Sequence, residues 1–214
     1  MYKVLRRFPK HGYLLLSILI FVFLSPLLEK TVIRSYINLF LYSLIFLSTY
    51  SVIEKNNTFI KLFPLIGIII NIIIFFVESK IALLILFGLS AIVFTIITFV
   101  LLIQIARSKK VNTGLILEAI NGYLLIGVVA TILNTTVILF YPDAISITDL
   151  SNKAGNIIYY SYITLSTIGF GDICPKSPMA RNIAVFIGLA GQLYLTIIIA
   201  FIIGKISSKT EIEY

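Results

Sequence analysis

Apolar residues in this chain fall into long runs, separated by short polar breaks. A helix needs roughly 20 residues to cross the hydrocarbon core of a bilayer. Six runs are long enough to be read as spans. They cover about Gly12 to Leu28, Ser35 to Ile53, Phe59 to Val77, Ile81 to Ala106, Gly114 to Tyr141, and Asn182 to Gly204. The breaks are short: Glu29 to Arg34, Glu54 to Thr58, Glu78 to Lys80, and Arg107 to Asn112. The first run, with its basic start, also fits a signal peptide. It has no small-x-small cleavage site and runs into Pro26 to Glu29, so a retained span is expected. Pro142 stops the fifth run, and Pro142 to Lys153 is mixed and turn-like. Gly155 to Ser166 is then apolar and aromatic but only 12 residues long. At 1.5 Å per residue it reaches about 18 Å, roughly half a bilayer. A glycine-rich piece, Thr167 to Gly171, follows it. The pattern therefore predicts a half-span that turns and returns, a re-entrant loop. Irregular backbone at membrane depth is tolerated only where protein buries it or water bathes it.

Composition strengthens the membrane reading. Of 214 residues, 59% are hydrophobic and 12% charged, and mean hydropathy is +1.07. Soluble domains carry about 25% charged residues. A soluble enzyme, a nucleic-acid binder and a disulfide-stapled secreted domain are excluded on this ground. The one cysteine, Cys174, has no intrachain partner, and the one histidine, His11, leaves no zinc cluster or serine-histidine-acid arrangement. No intramembrane cluster of acids or histidines suggests catalysis, so no enzyme activity and no cofactor are expected.

The net charge of +8 sets orientation. With the N-terminus inside, Lys3, Arg6, Arg7, Lys10, Lys55, Lys61, Arg107, Lys109, Lys110, Lys205 and Lys209 lie inside, and Lys30, Arg34, Lys80, Lys153, Lys176 and Arg181 outside. The excess of inner Lys and Arg puts both termini in the cytoplasm. Asn56-Asn57-Thr58, an acceptor pattern for glycosylation, then faces inward and is discarded.

The loop carries the chemistry. A bare cation in hydrocarbon costs on the order of tens of kcal/mol, so protein oxygens must replace its water. Extended backbone alternates its carbonyls. Pointing them one way needs positive φ, which glycine adopts without steric cost. Gly169 and Gly171 alternate with Ile168 and Phe170. Carbonyls of Thr167, Ile168, Gly169 and Phe170, with the Thr167 hydroxyl, would supply five oxygen levels and four ion sites between them. The half-span ends near Ser166, turning the negative end of its dipole toward the ion.

The run from Thr164 through Thr167 and Gly171 to Asp172 resembles the potassium-channel signature T-x-x-T-x-G-[YF]-G-D. Rings of carbonyls are that family's own selectivity scheme. The resemblance spans Ile157 to about Gly204 and, less specifically, the fifth span. It implies potassium as the permeant ion and Thr167 to Gly171 as the filter. Tyr159, Tyr160, Thr164, Ser166 and Asp172 would support it. Tyr159 and Tyr160 stand where many members have tryptophans, and Pro175 and Pro178 follow Asp172 as in several prokaryotic members. Gly191 falls at the inner-helix glycine often used as a gating hinge. One loop supplies a quarter of each oxygen ring, so closed symmetry implies a homotetramer.

Departures from the signature are informative. Phe170 lacks the hydroxyl of the commoner tyrosine. Tyr160 removes a usual donor, while Tyr159 can still donate to Asp172. Ile163 stands where some members carry an acid. Selectivity is expected to survive, with filter rigidity and inactivation altered.

The first four spans differ from a voltage sensor. Steep voltage dependence needs 3–4 gating charges per subunit, and Ile81 to Ala106 contains none. Bacterial six-span, one-loop channels without sensor charges are the nearest resemblance.

Among polar residues within spans, Glu118 is either a gating or pH sensor or a carboxylate pairing with Arg107 or Lys205. Asn71, Gln104, Asn121 and Gln192 are expected as interhelical hydrogen-bond partners, and His11 as an interface residue. Asp143, Asp149 and Asp172 could gather cations at the mouth.

The expected fold is an all-α membrane protein of six transmembrane helices, with a re-entrant pore helix and selectivity filter between the fifth and sixth. Residues 1–112 form the four-helix part, 113–207 the pore domain and 208–214 a short cytoplasmic tail. The function expected is a passive potassium-selective homotetrameric channel in the cell membrane, not steeply voltage-gated and in contact with lipid. The alternatives are a poorly selective cation channel and a non-conducting regulatory subunit.

Overall fold

The computed structural model describes residues 10–28, 32–53, 59–108, 111–147 and 152–210, with 32–35 and 206–210 described by their backbone. Its elements in chain order are α1 (Lys10–Leu24), a 3-10 turn (Ser25–Leu27), α2 (Val32–Val52), α3 (Leu62–Phe76), α4 (Lys80–Arg107), α5 (Thr113–Phe140), α6 (Lys153–Leu165) and α7 (Pro178–Thr210). Every apolar run is helical, and the 12-residue half-span is the short helix α6. Lys3, Arg6, Arg7, Lys30, Lys55, Lys109, Lys110 and Asp149 lie outside the described residues.

Helix ends follow local chemistry. The Asn112 side chain accepts the Leu115 N–H at 2.9 Å and so caps α5. Asn152 does the same for Gly155 at 3.2 Å and starts α6. Ser177 accepts the Ala180 N–H at 3.1 Å. Pro178, whose fixed φ suits a first helical position, therefore opens α7 four residues before Asn182. At its other end α7 continues past Gly204 to Thr210. The helix thus runs three residues beyond the expected pore-domain limit at 207.

Four segments are long and apolar enough to cross a membrane: Lys10–Leu27, Lys80–Arg107, Thr113–Phe140 and Pro178–Lys205. The apolar stretches Tyr36–Val52 and Leu62–Phe76 are shorter. The 15 residues of α3 rise about 22 Å, against a hydrocarbon core of about 30 Å.

One core joins both halves of the chain. Leu14, Ile18 and Phe21 of α1 pack with Phe46 of α2 and with Phe94 and Ile97 of α4. The same cluster takes in Leu125, Val128 and Ile132 of α5 and Ile158 of α6. Phe46 and Phe94 stack with ring centres 4.2 Å apart. Asn112, at the expected boundary, caps α5 and lies between two helices packed in this core. Two tyrosines then lock α6 and α7 to α5. The Tyr162 hydroxyl donates to the Leu124 carbonyl at 2.9 Å and the Tyr194 hydroxyl to Ala119 at 2.8 Å. Both rings lie in notches left by glycine. A Cβ on Gly127 would sit 2.3 Å from Tyr162, and one on Gly122 2.1 Å from the Tyr194 oxygen.

Candidate functional site

Helix α6 ends at Ser166, and the backbone then changes character. Thr167, Gly169 and Gly171 have φ of 58°, 51° and 80°, the only positive values among the described residues. Left-handed residues at every second position keep successive carbonyls on one side of an extended strand, as ring coordination of an ion demands. The glycines adopt this readily. Thr167 is different: a β-branched residue at positive φ is a conformational outlier. Such strain persists only where surroundings hold it, and it clusters at functional sites.

The strand is held at its foot by α6. The Thr167 N–H donates to the Thr164 carbonyl at 3.1 Å, and those of Ile168 and Gly169 both donate to Ile163, at 3.0 and 3.3 Å. The Ser166 hydroxyl donates to Ile163 as well, at 3.3 Å. From α7, Gln192 Nε2 donates to Thr167 Oγ1 at 3.2 Å. Tyr123 of α5 donates to the Leu165 carbonyl at 3.3 Å. Ser161 is anchored to α5 by Asn134 Nδ2 at 2.9 Å.

At its head the strand is held by Asp172, which accepts the Tyr159 hydroxyl at 2.8 Å. The carboxylate pushes the Tyr159 phenol above its ordinary value, chiefly through this hydrogen bond. Tyr160 is buried among Val137, Ile138, Ile157 and Ala180. Its hydroxyl, near Thr164, reaches no partner at full hydrogen-bond geometry. The Cys174 thiol donates to the Gly171 carbonyl at 3.1 Å. Beyond it, Ile145 and Pro175 form an antiparallel bridge. The Lys176 N–H donates to Ala144 at 2.7 Å and the Ser146 N–H to Cys174 at 2.8 Å. The turn-like segment after α5 thus clamps the chain leaving the strand, a long-range pairing with no sequence periodicity to announce it.

Two glycines of α7 differ in their surroundings. A Cβ on Gly191 would lie 2.3 Å from the Leu165 carbonyl oxygen, whereas one on Gly188 would meet only Thr164 O, at 3.9 Å. Gly191 is where α7 crosses the backbone end of α6, and α7 is continuous through it. That close approach is a reason for glycine at this position. Gly188, three residues earlier, has more room.

Asn71, Gln104 and Asn121 make the expected interhelical bonds, whereas Gln192 bonds Thr167 of the strand. Asn71 donates to Leu39 O at 2.9 Å and Ser43 at 3.0 Å, and Asn121 donates to His11 O at 2.8 Å. Gln104 donates to Glu118, which is 6% exposed. Arg107 and His11 line a cavity of about 270 Å³ beside Glu118. Lys205 of α7 donates to the Ile105 carbonyl. Asp143 is exposed on the segment after α5.

Residues 126–208 match a protein-family model described as ion channel. That stretch, from the middle of α5 through the strand and almost to the end of α7, is similar to ion-channel segments, and with its long apolar helices the chain is an integral membrane protein. No curated protein and no solved structure matches the chain.

Proposed function

We propose that the chain is the subunit of a potassium-selective channel that conducts passively as a homotetramer. The observation that carries this reading is the alternation of positive φ at Thr167, Gly169 and Gly171 on a strand fixed between Gln192 and Tyr159. The carbonyls of Thr167, Ile168, Gly169 and Phe170 are the ligands, with the Thr167 hydroxyl at the inner end. Replacing a hydration shell takes oxygens from all sides, and one strand supplies one side. Fourfold symmetry supplies the others. In a single chain Phe170 is 72% exposed, and Val185, Phe186, Leu189 and Leu193 of α7 are also open. Neighbouring copies and lipid would cover these surfaces.

In this reading α6 is the pore helix, α7 lines the pore and α5 packs outside it. Helices α2 and α3 also cross, α3 by local thinning of the bilayer around a short helix. This makes six spans, with both ends in the cytoplasm by the excess of inner Lys and Arg. The cell membrane is the natural site for such a channel. Helices α1–α4 carry no sensor charges, so opening is not steeply voltage-driven.

Purified protein in liposomes under opposed potassium and sodium gradients tests the proposal. A reversal potential near the potassium equilibrium value is expected. One that tracks both ions equally would replace it with a poorly selective cation channel. No current under any gradient would leave a non-conducting subunit.

A further inference from the structure

A cavity of about 560 Å³ lies between helices α1–α5 and the start of α6. Drug-sized ligands occupy pockets of about 300–1,000 Å³. The wall is rich in aromatic side chains, with Phe21, Tyr42, Phe46, Phe75, Phe87 and Phe94, and no charged side chain lines it. Of its polar side chains, Ser25, Thr131 and Thr135 donate within the protein, and three others keep bonding capacity. Ser90 is 5% exposed and its hydroxyl makes no hydrogen bond among the described residues. Asn71 spends its Nδ2 on Leu39 and Ser43, which leaves Oδ1 as an acceptor. Asn38, half-buried, accepts from Ser25 through Oδ1 at 2.8 Å, and its Nδ2 donates to none of the described residues. Polar groups that open onto one shared space can be completed together by a ligand that reaches them.

We propose that this cavity binds an uncharged, ring-bearing alcohol or amide drawn from the membrane phase. Aromatic walls favour a ring through edge and face contacts. A charged group would be left unpaired at a cost of several kcal/mol or more. A single hydroxyl or amide both donates and accepts, which suits Asn38, Asn71 and Ser90 together. A plain acyl chain would leave all three unsatisfied. Ala154 and Ile158, one turn apart on α6, also line the space. Ile158 precedes Tyr159, which holds Asp172. An occupant therefore bears on the helix that carries the filter, and its presence alters conduction.

The effect on conduction rests on the channel reading; binding does not. The test is photolabelling of the full chain in phosphatidylcholine vesicles with 4-hydroxybenzophenone, followed by peptide mapping. Saturable adducts on cavity-lining residues are expected. Ser90→Phe, which fills the space, should cut them by roughly tenfold. Asn71→Leu keeps the volume, removes the polar partners and should cut them less. Circular dichroism checks that both variants fold. The anionic 4-carboxybenzophenone should leave these residues unlabelled. Unsaturable labelling spread over lipid-facing residues, equal labelling by the anion, or labelling indifferent to both variants would overturn the site. Potassium flux changed by the phenol in the parent protein but not in Ser90→Phe establishes the coupling. Flux unchanged despite labelling overturns the coupling, and absence of flux without any ligand rejects the channel reading while the site stands.

Discussion

Helices α1–α4 and the unit α5–α7 are both helical and share one core, yet they are specified in different ways. In α1–α4 the requirement is to be helical, apolar and well packed. Many sequences meet it, because lipid accepts almost any apolar side chain and each helix satisfies its own backbone. The polar residues there bond locally or to the next helix, as Ser17 does to Leu14 O at 2.8 Å and Asn71 to Leu39 O at 2.9 Å. In α5–α7 single positions are fixed by geometry. Left-handed backbone, a glycine under a carbonyl, and a tyrosine facing a carboxylate each admit few residues. The family match falls in this second unit, at 126–208. Constraint, rather than hydrophobicity, marks the working half of the chain.

The sharpest test of that contrast pairs two glycines with equally open surroundings. Neither Gly169 nor Gly88, on α4, has any atom within 4 Å of where a Cβ would be. Gly169 alone has positive φ, at 51°. Gly169→Ala should abolish potassium flux, since a left-handed non-glycine residue costs about 1–2 kcal/mol at every copy of the filter. Gly88→Ala should leave flux intact and raise stability by up to about 1 kcal/mol through helix propensity. Liposome flux and thermal unfolding measure the two. Equal effects would erase the distinction between the regions.

A second pair lies within α7. Gly191→Ala forces a methyl against the Leu165 carbonyl oxygen and should cost about 1–3 kcal/mol of stability through overpacking. Gly188→Ala, with only Thr164 O at 3.9 Å, should be neutral or slightly stabilising. Unfolding midpoints of both variants decide this. If Gly191→Ala leaves stability unchanged but lowers open probability, the residue acts as a hinge after all.

These pairs also mark how far the sequence is legible. Helix positions follow from the apolar runs, a signal strong enough to place the seven helices of the described residues within about four residues at each end, except that α7 runs six residues past Gly204 to Thr210. The strand of Thr167 to Gly171 is legible because glycine at alternate positions has a local meaning. The left-handed Thr167 is not: nothing in threonine announces it, and it arises from bonds to Thr164 and Gln192, the latter 25 residues away. The different surroundings of Gly188 and Gly191 are hidden for the same reason. Spacing along one helix cannot tell which glycine a second helix crosses. Glu118 reads from sequence either as a sensor or as a carboxylate pairing with Arg107 or Lys205. That it accepts from Gln104 depends on how α4 and α5 face each other, which hydropathy does not encode.

A smaller effect is expected where the strand meets Asp172. Tyr159→Phe removes the 2.8 Å bond at the head of the strand and leaves the bonds at its foot. Selectivity should persist while current declines faster during sustained conduction. The pH dependence has a definite sign. The bond raises the folded-state pKa of Tyr159 above its ordinary 10.0. Its contribution is therefore complete below about pH 10 and lost only as pH rises through the higher folded value. The parent protein should show this alkaline loss of sustained current, and Tyr159→Phe should not. An identical alkaline profile in both would place the titrating group elsewhere.

The smallest effect belongs to voltage, and it tests α4 directly. This helix runs from Lys80 to Arg107 with no charged residue between those ends. One elementary charge moved through 100 mV is worth about 2.3 kcal/mol. A single hidden gating charge in each of four subunits would therefore shift open probability steeply, and the sequence of α4 supplies none. Open probability of the reconstituted channel should change little with voltage. Placing arginine at Leu84 and Ile85, both exposed on α4, should not by itself create steep gating. Charge must also move to do work, and α4 is packed against α5 through Phe94, Ile97 and Leu125 in the shared core. Steep activation in the parent protein would mean that charge outside α4 crosses the field. In that case the division into a constrained pore unit and a permissive surround would fail at its outer half.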